Sequence, residues 1–134
     1  AQSQPSPKES KKTSFQPQPI SGPVACKPHG TSLAITVKPP LKFSEKCLSA
    51  PANRPFTISL ANHDNAKTEA FNAATTAAHN IAIYTNSSAQ HNVFNGKVVQ
   101  PKENATYHVK ALPRGIYYFK CIVHPVMNGS FVSY

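Results

Sequence analysis

Residues 117–129 read YYFKCIVHPVMNG. A thiol, an imidazole and a thioether follow one another in this stretch at three-residue intervals, at Cys121, His124 and Met127. Aromatic residues precede Cys121, and Gly129 opens another apolar run. The stretch therefore predicts two strands joined by a turn, with three metal-binding side chains on that turn.

Strand signals run through the rest of the chain, whereas helix signals are scarce. Short β-branched or aromatic runs occupy residues 32–37, 56–61, 80–84, 97–99, 105–110, 115–121 and 129–134. Turn residues such as Asn95-Gly96 separate them. Seven or eight short strands at this spacing predict an all-β fold, an antiparallel β-sandwich.

The two ends of the chain differ in composition. Residues 1–23 contain five prolines, and their only sizeable apolar side chains are Phe15 and Ile20. Such a segment buries too little surface to offset the entropy of ordering. We expect residues 1–23 to be a disordered, flexible tether rich in Pro, Lys and Gln, and residues 24–134 to form one domain.

The formal net charge is +9, but the lysines and arginines of the domain are scattered singly. Nucleic-acid binders concentrate such charge in a stripe, so we expect no nucleic-acid partner. A solvated surface explains the charge best, with steering toward an acidic partner or an anionic membrane as the alternative. No segment approaches the ~20 apolar residues of a membrane span.

The three cysteines raise the question of pairing. Cys26 and Cys47 lie close in sequence and can form a disulfide, which would leave Cys121 free. A disulfide indicates an exported protein, and a start at Ala1-Gln2 is what signal cleavage commonly leaves. We expect a periplasmic or extracellular location, or one on the outer face of a membrane with an anchor upstream of the tether.

A trigonal His₂Cys site with a weak axial Met is the blue-copper arrangement, so a second histidine is required. His79 and His91 both precede Asn and an aliphatic residue. In an up-and-down course, the runs that follow His79 bring Cys121 back to the same end, whereas those after His91 do not. We therefore predict one copper held by His79, Cys121, His124 and Met127, with His91 as the alternative first ligand.

Residues 32–134 resemble the plastocyanin, amicyanin and pseudoazurin family of cupredoxins. The Cys121-x-x-His124-x-x-Met127 loop is similar to that of amicyanin, and residues 49–52 and 56–62 resemble the strand that precedes the first ligand histidine. The resemblance implies a Greek-key sandwich and one-electron transfer. The Ala/Thr-rich residues 64–78 are longer than in the family; they fit a loop or a short helix capped by Asp64.

The resemblance also implies roles around the site. Asn80 corresponds to the asparagine that links the two ligand loops and whose backbone amide donates toward the cysteine sulfur. His124 corresponds to the ligand whose edge reaches solvent, beside an apolar patch that includes Pro125 and Val126. Protein redox partners would dock there.

The leading hypothesis is therefore a monomeric type 1 copper protein that carries single electrons and is not an enzyme. A copper storage or delivery module would favour further Met or His clusters, which this sequence lacks. A cupredoxin-like interaction domain without metal would have a broken ligand set, whereas all four positions can be filled here.

Overall fold

Short strands make up the regular structure of this protein in a computed structural model, which describes residues 16–21, 26, 29–39, 41–64 and 77–134. In chain order the strands are β1 (Ser32–Lys38), β2 (Lys42–Phe43), β3 (Cys47–Ala50), β4 (Phe56–Asn62), β5 (Ala82–Tyr84), β6 (Asn92–Asn95), β7 (Asn104–Val109), β8 (Gly115–Lys120) and β9 (Asn128–Ser133). Within these described ranges, no helix is long and apolar enough to cross a membrane. Residues 65–76, where a loop or a short helix was expected, lie outside the described residues.

The strands form a four-stranded sheet in the order β2-β1-β4-β7 and a five-stranded sheet in the order β3-β9-β8-β5-β6. The predicted all-β sandwich is confirmed. Five of the seven strand pairs are antiparallel, but β1 pairs with β4 in parallel, and β3 pairs with β9 in parallel. The parallel pair β1–β4 arises because the chain visits the other sheet at β3 before it returns beside β1.

Alternating burial along the strands places one face of each sheet in a shared core. Inward residues of β1 and β4, such as Ile35 and Ile58, are fully or almost fully buried. Ring contacts link the two sheets: Phe56 stacks on Phe131 at 4.9 Å between centroids. Each such large side chain contributes roughly 1.5–3 kcal/mol by burial, so the core holds the strand ends rigidly in place.

Residues 16–21 belong to the segment that we expected to be a tether, yet they contact the domain. Gln18 and Ile116 exchange two backbone hydrogen bonds of 2.9 and 2.7 Å. Pro17 lies so close to Gly115, whose φ is +155°, that a Cβ atom there would come within 2.7 Å of it. The domain boundary after residue 23 stays a prediction, because residues 1–15 and 22–25 lie outside the described residues.

The predicted cysteine pairing is confirmed. Cys26 and Cys47 form a disulfide with their Cα atoms 5.5 Å apart, and it joins the segment before β1 to the start of β3. Cys121 is free and buried. The one reduced thiol therefore lies in the interior, directly after β8.

Candidate metal centre

Three buried side chains from two distant parts of the chain meet at one end of the sandwich. His79, Cys121 and His124 each contribute a donor atom to a group that lies within 4.8 Å. The two histidine Nδ1 atoms are 3.2 Å apart, and Nδ1 of His79 is 3.8 Å from Sγ of Cys121. Donors bound at about 2.0–2.3 Å to a common ion in a trigonal plane lie roughly 3.5–3.7 Å from one another. The spacing of this group therefore fits a single metal ion.

The turn between β8 and β9 carries Cys121 and His124 and is closed by its own backbone. The amide of Cys121 donates to the carbonyl of Met127 at 2.9 Å, and the amide of Met127 donates to the carbonyl of His124 at 2.9 Å. Met127 is itself buried, with 2% of its surface exposed. The structure thus brings the side chains of Cys121 and His124 together and closes the turn with the backbone of Met127, whose axial role stays a prediction.

His79 reaches the group from just before β5. Its backbone amide donates to Val99 and its carbonyl accepts from Val99, at 3.0 and 2.7 Å. His91 is exposed and lies outside the group. The strand that we predicted at 97–99, among the described residues, is absent: Val99 makes only an isolated bridge to His79, and the strand that pairs antiparallel with β5 is β6. Strand β8 still arrives antiparallel to β5, as the parity argument required.

The two sheets are similar in fold to those of solved copper proteins. An auracyanin from Roseiflexus castenholzii matches with a TM-score of 0.60 and 17% identity, over 78% of this chain and 97% of the auracyanin. Auracyanin A from Chloroflexus aurantiacus, a "blue" copper protein, matches with a TM-score of 0.58 and 15% identity, over 79% of this chain and 100% of auracyanin A. A copper-containing nitrite reductase from Thermus scotoductus matches with a TM-score of 0.52 and 19% identity, over 87% of this chain but only 25% of the reductase.

The chain has the cupredoxin fold. No family model and no curated protein sequence matches it. At 14–19% identity, the likeness to cupredoxin structures establishes the fold.

Asn80 joins the two parts of the site, as the resemblance to cupredoxins implied. Its backbone amide lies 3.5 Å from Sγ of Cys121, within hydrogen-bond range for sulfur. Its side-chain oxygen accepts from the amide of Ile122 at 2.8 Å, and its side-chain nitrogen donates to the carbonyl of Gly96 at 2.8 Å. One buried residue therefore ties the segment of His79 to the turn after β8.

A further contact of the site was not predicted from the sequence. Nε2 of His79 lies 2.7 Å from Oδ2 of Asp64, and both side chains are buried, at 0% and 2% exposure. We had considered Asp64 only as a helix cap, because aspartate before an alanine-rich segment is a common capping pattern. The one sequence signal was that Asp64 is the only aspartate of the chain.

The two innermost donors, His79 and Cys121, shift each other's pKa in opposite directions. Burial lowers the pKa of His79, but hydrogen bonds and charge from Cys121 and Asp64 outweigh burial and leave that pKa raised. Burial raises the pKa of the Cys121 thiol, but a hydrogen bond from His79 and two from backbone amides outweigh it, so this pKa is lowered. The thiolate is the form that binds a metal, whereas His79 binds one only after it has lost its proton.

The surface beside His124 differs in one respect from what the resemblance implied. Only 4% of His124 is exposed, so its ring is almost covered rather than open to solvent. The neighbours are open: Pro125 is exposed, and Ile122 and Val126 are 48% and 72% exposed. We call Ile122, Pro125 and Val126 the apolar loop patch. Large exposed aliphatic side chains of this kind are typical of contact surfaces.

Proposed function

We propose that this protein is a type 1 copper electron carrier, with His79, Cys121 and His124 as equatorial ligands and Met127 as the axial ligand. The observation that carries the proposal is the convergence of one buried thiol and two imidazole Nδ1 atoms within 4.8 Å. Copper, when bound, supplies the one-electron Cu(I)/Cu(II) couple. The cupredoxin fold supports the proposal, because it presents such sites at this end of its sandwich.

The chemistry of the donors favours copper over zinc. A thiolate is a soft ligand, imidazoles suit copper in both oxidation states, and a buried thioether adds a weak fourth donor. Structural zinc sites instead combine four strong Cys or His ligands, and this group offers three. A single thiolate, with a buried methionine on the same turn, therefore supports a mononuclear copper ion.

The framework around the ligands suits electron transfer. His79 is fixed by its backbone pairing with Val99, and Cys121 is fixed by β8 and by the closed turn that follows it. Asn80 links these two segments through hydrogen bonds of 2.8 Å. Because the protein holds the donors, a change of oxidation state requires little rearrangement, and no substrate has to reach the metal.

The apolar loop patch is the surface where we expect a protein redox partner to dock. It directly flanks His124, so the shortest path for an electron from a docked partner runs through the imidazole of His124. The disulfide between Cys26 and Cys47 supports an oxidising compartment outside the cytoplasm. A monomeric state and a membrane tether upstream of residue 1 remain part of the prediction.

Titration of the copper-free protein with Cu(II), followed by visible absorption and EPR, tests the proposal. We expect an intense thiolate-to-copper charge-transfer band that saturates at one equivalent and is bleached reversibly by ascorbate. Cys121→Ser is expected to abolish the band while the protein stays folded, because serine removes the thiolate and nearly preserves the volume. A folded, reduced wild-type protein without the band would overturn the proposal.

A further inference from the structure

Asp64 is a buried acid in a basic protein. The chain carries a net charge of +9 with five acidic residues, and Asp64 is 2% exposed. A buried carboxylate is retained in a fold only where hydrogen bonds or a positive partner compensate its desolvation. Its partner here is Nε2 of His79 at 2.7 Å, so the compensation comes from a residue that we assign to the metal.

A second buried side chain holds Asp64 in place. Oδ1 of Asn62 accepts a hydrogen bond of 2.9 Å from the backbone amide of Asp64. The amide nitrogen of Asn62 donates to the carbonyls of Ala77 and Val99, both at 2.8 Å. Asn62 thereby links Asp64 to Ala77, and Val99 also pairs with the backbone of His79. Hydrogen bonds through Asn62 and Val99 therefore connect Asp64 to the backbone of His79, and Asp64 is not an incidental surface group.

The contact determines which nitrogen of His79 faces the donor group. A carboxylate accepts hydrogen bonds, so Nε2 carries the proton and the lone pair is on Nδ1. Nδ1 is the atom that lies 3.8 Å from Sγ of Cys121 and 3.2 Å from Nδ1 of His124. A carboxylate on the far nitrogen also makes an imidazole a stronger electron donor.

We infer that Asp64 is a positioning residue for the redox site, which orients His79 toward the metal and lowers the reduction potential by favouring Cu(II) over Cu(I). This inference rests on the proposed copper function. A negative charge in a poorly screened interior stabilises the oxidation state with the larger positive charge. The stronger donation from His79 acts in the same direction, because Cu(II) is the more demanding Lewis acid.

Asp64→Asn separates charge from shape. Asparagine has nearly the same size, and its side-chain oxygen still accepts from Nε2 of His79, while the negative charge is removed. Mutation of such a carboxylate partner of a ligand histidine typically changes metal affinity by 10–100-fold. We expect the ratio of Cu(II) to Cu(I) affinity to fall at least about tenfold, which is a rise of about 60 mV or more in the potential.

Glu103→Gln is the matched control, because it removes the same charge from an exposed side chain. Its potential is expected to equal that of the wild type. The measurement is voltammetry of the copper-loaded full chain, with the charge-transfer band and EPR recorded on each variant. An Asp64→Asn protein that keeps the band and the wild-type potential would sink the inference and leave the proposed copper function intact.

A second measurement does not depend on whether the variant folds. In the wild-type protein, the Nε2 proton of His79 is expected to give a slowly exchanging, strongly downfield proton resonance, both without copper and with Cu(I). Absence of that resonance in the folded protein would show that the carboxylate does not hold the ring, and the inference would fail. A wild-type protein that shows the resonance but gives no charge-transfer band would instead overturn the copper function, and with it the effect on potential.

Discussion

The side-chain oxygen of Asn80 accepts a hydrogen bond of 2.8 Å from the backbone amide of Ile122, 42 residues further along the chain. The bond joins the residue after His79 to the residue after Cys121. Because Asn80 is 2% exposed, neither a solvent molecule nor a rotamer change easily replaces it. This side chain therefore helps to fix the spacing between His79 and Cys121.

Asn80→Ala is expected to destabilise the copper-free protein by about 2–3 kcal/mol. The substitution leaves the amide of Ile122 and the buried carbonyl of Gly96 without their hydrogen-bond partner. Urea unfolding measures the loss. Asn92→Ala is the matched control, since Asn92 also donates to two carbonyls but is exposed, and its cost is expected to stay below about 1 kcal/mol. Equal losses in the two variants would contradict a linking role for Asn80.

The choice between His79 and His91 is tested by replacing each with glutamine. We expect His79→Gln to eliminate the type 1 spectrum, because His79 lies in the donor group, and His91→Gln to leave it unchanged, because His91 is exposed outside the group. Copper titration with visible absorption distinguishes the two variants. A wild-type spectrum in His79→Gln would show that another residue supplies the first nitrogen ligand.

Removing the disulfide is expected to weaken the fold without removing the metal site. Cys26 and Cys47 are 21 residues apart, and a loop of that size is worth about 3 kcal/mol in the chain-entropy model. The double variant Cys26→Ser, Cys47→Ser should lose that amount in urea unfolding and still bind copper through Cys121. Wild-type protein treated with a reductant should match the double variant. A fully reduced wild type as stable as the oxidised one would exclude this contribution.

Two buried phenols predict a loss of stability in alkali. Burial raises the pKa of Tyr107 and of Tyr117 to about 12. A group with a raised pKa in the folded state contributes its full stability below the unfolded pKa of about 10 and loses it between pH 10 and 12. The free energy of unfolding should therefore fall by about 1 kcal/mol for each of these tyrosines between pH 9 and 11.

Unfolding of Tyr107→Phe over the same pH range isolates this effect. The variant loses the hydrogen bond from the phenol to the carbonyl of Lys97, which costs about 1 kcal/mol at every pH. Its free energy of unfolding should also fall less between pH 9 and 11, because the contribution of Tyr107 to that fall is removed. Tyr134→Phe, at an exposed position, is expected to keep the whole decline. Identical pH profiles for Tyr107→Phe and wild type would show that the buried phenol is not the cause.

Much of the fold follows from local pattern. Alternating residues such as those of β1 and β8 predicted their strands within one residue, because the period of two is a property of the strand itself. Strands β2, β3 and β6 were not predicted, since β2 has only two residues and the burial of β3 and β6 does not alternate. The parallel pairing of β1 with β4 was not predicted either, because it depends on the path of the chain through the opposite sheet.

In the candidate metal site, too, some features follow from local sequence and others from the tertiary structure. The spacing of Cys121, His124 and Met127 is local, so the sequence by itself determined that a thiol, an imidazole and a thioether share one turn. The order of the predicted strands also favoured His79 over His91. The number of strands between His79 and Cys121 brings both residues to the same end of the sandwich, and the number after His91 does not. The contact of Asp64 with His79 was decided only by the tertiary structure. The two residues are separated in the sequence by 14 others, so no local pattern connects them. The contact also depends on burial, and the burial of a charged side chain is set by what packs around it and not by its neighbours in the chain.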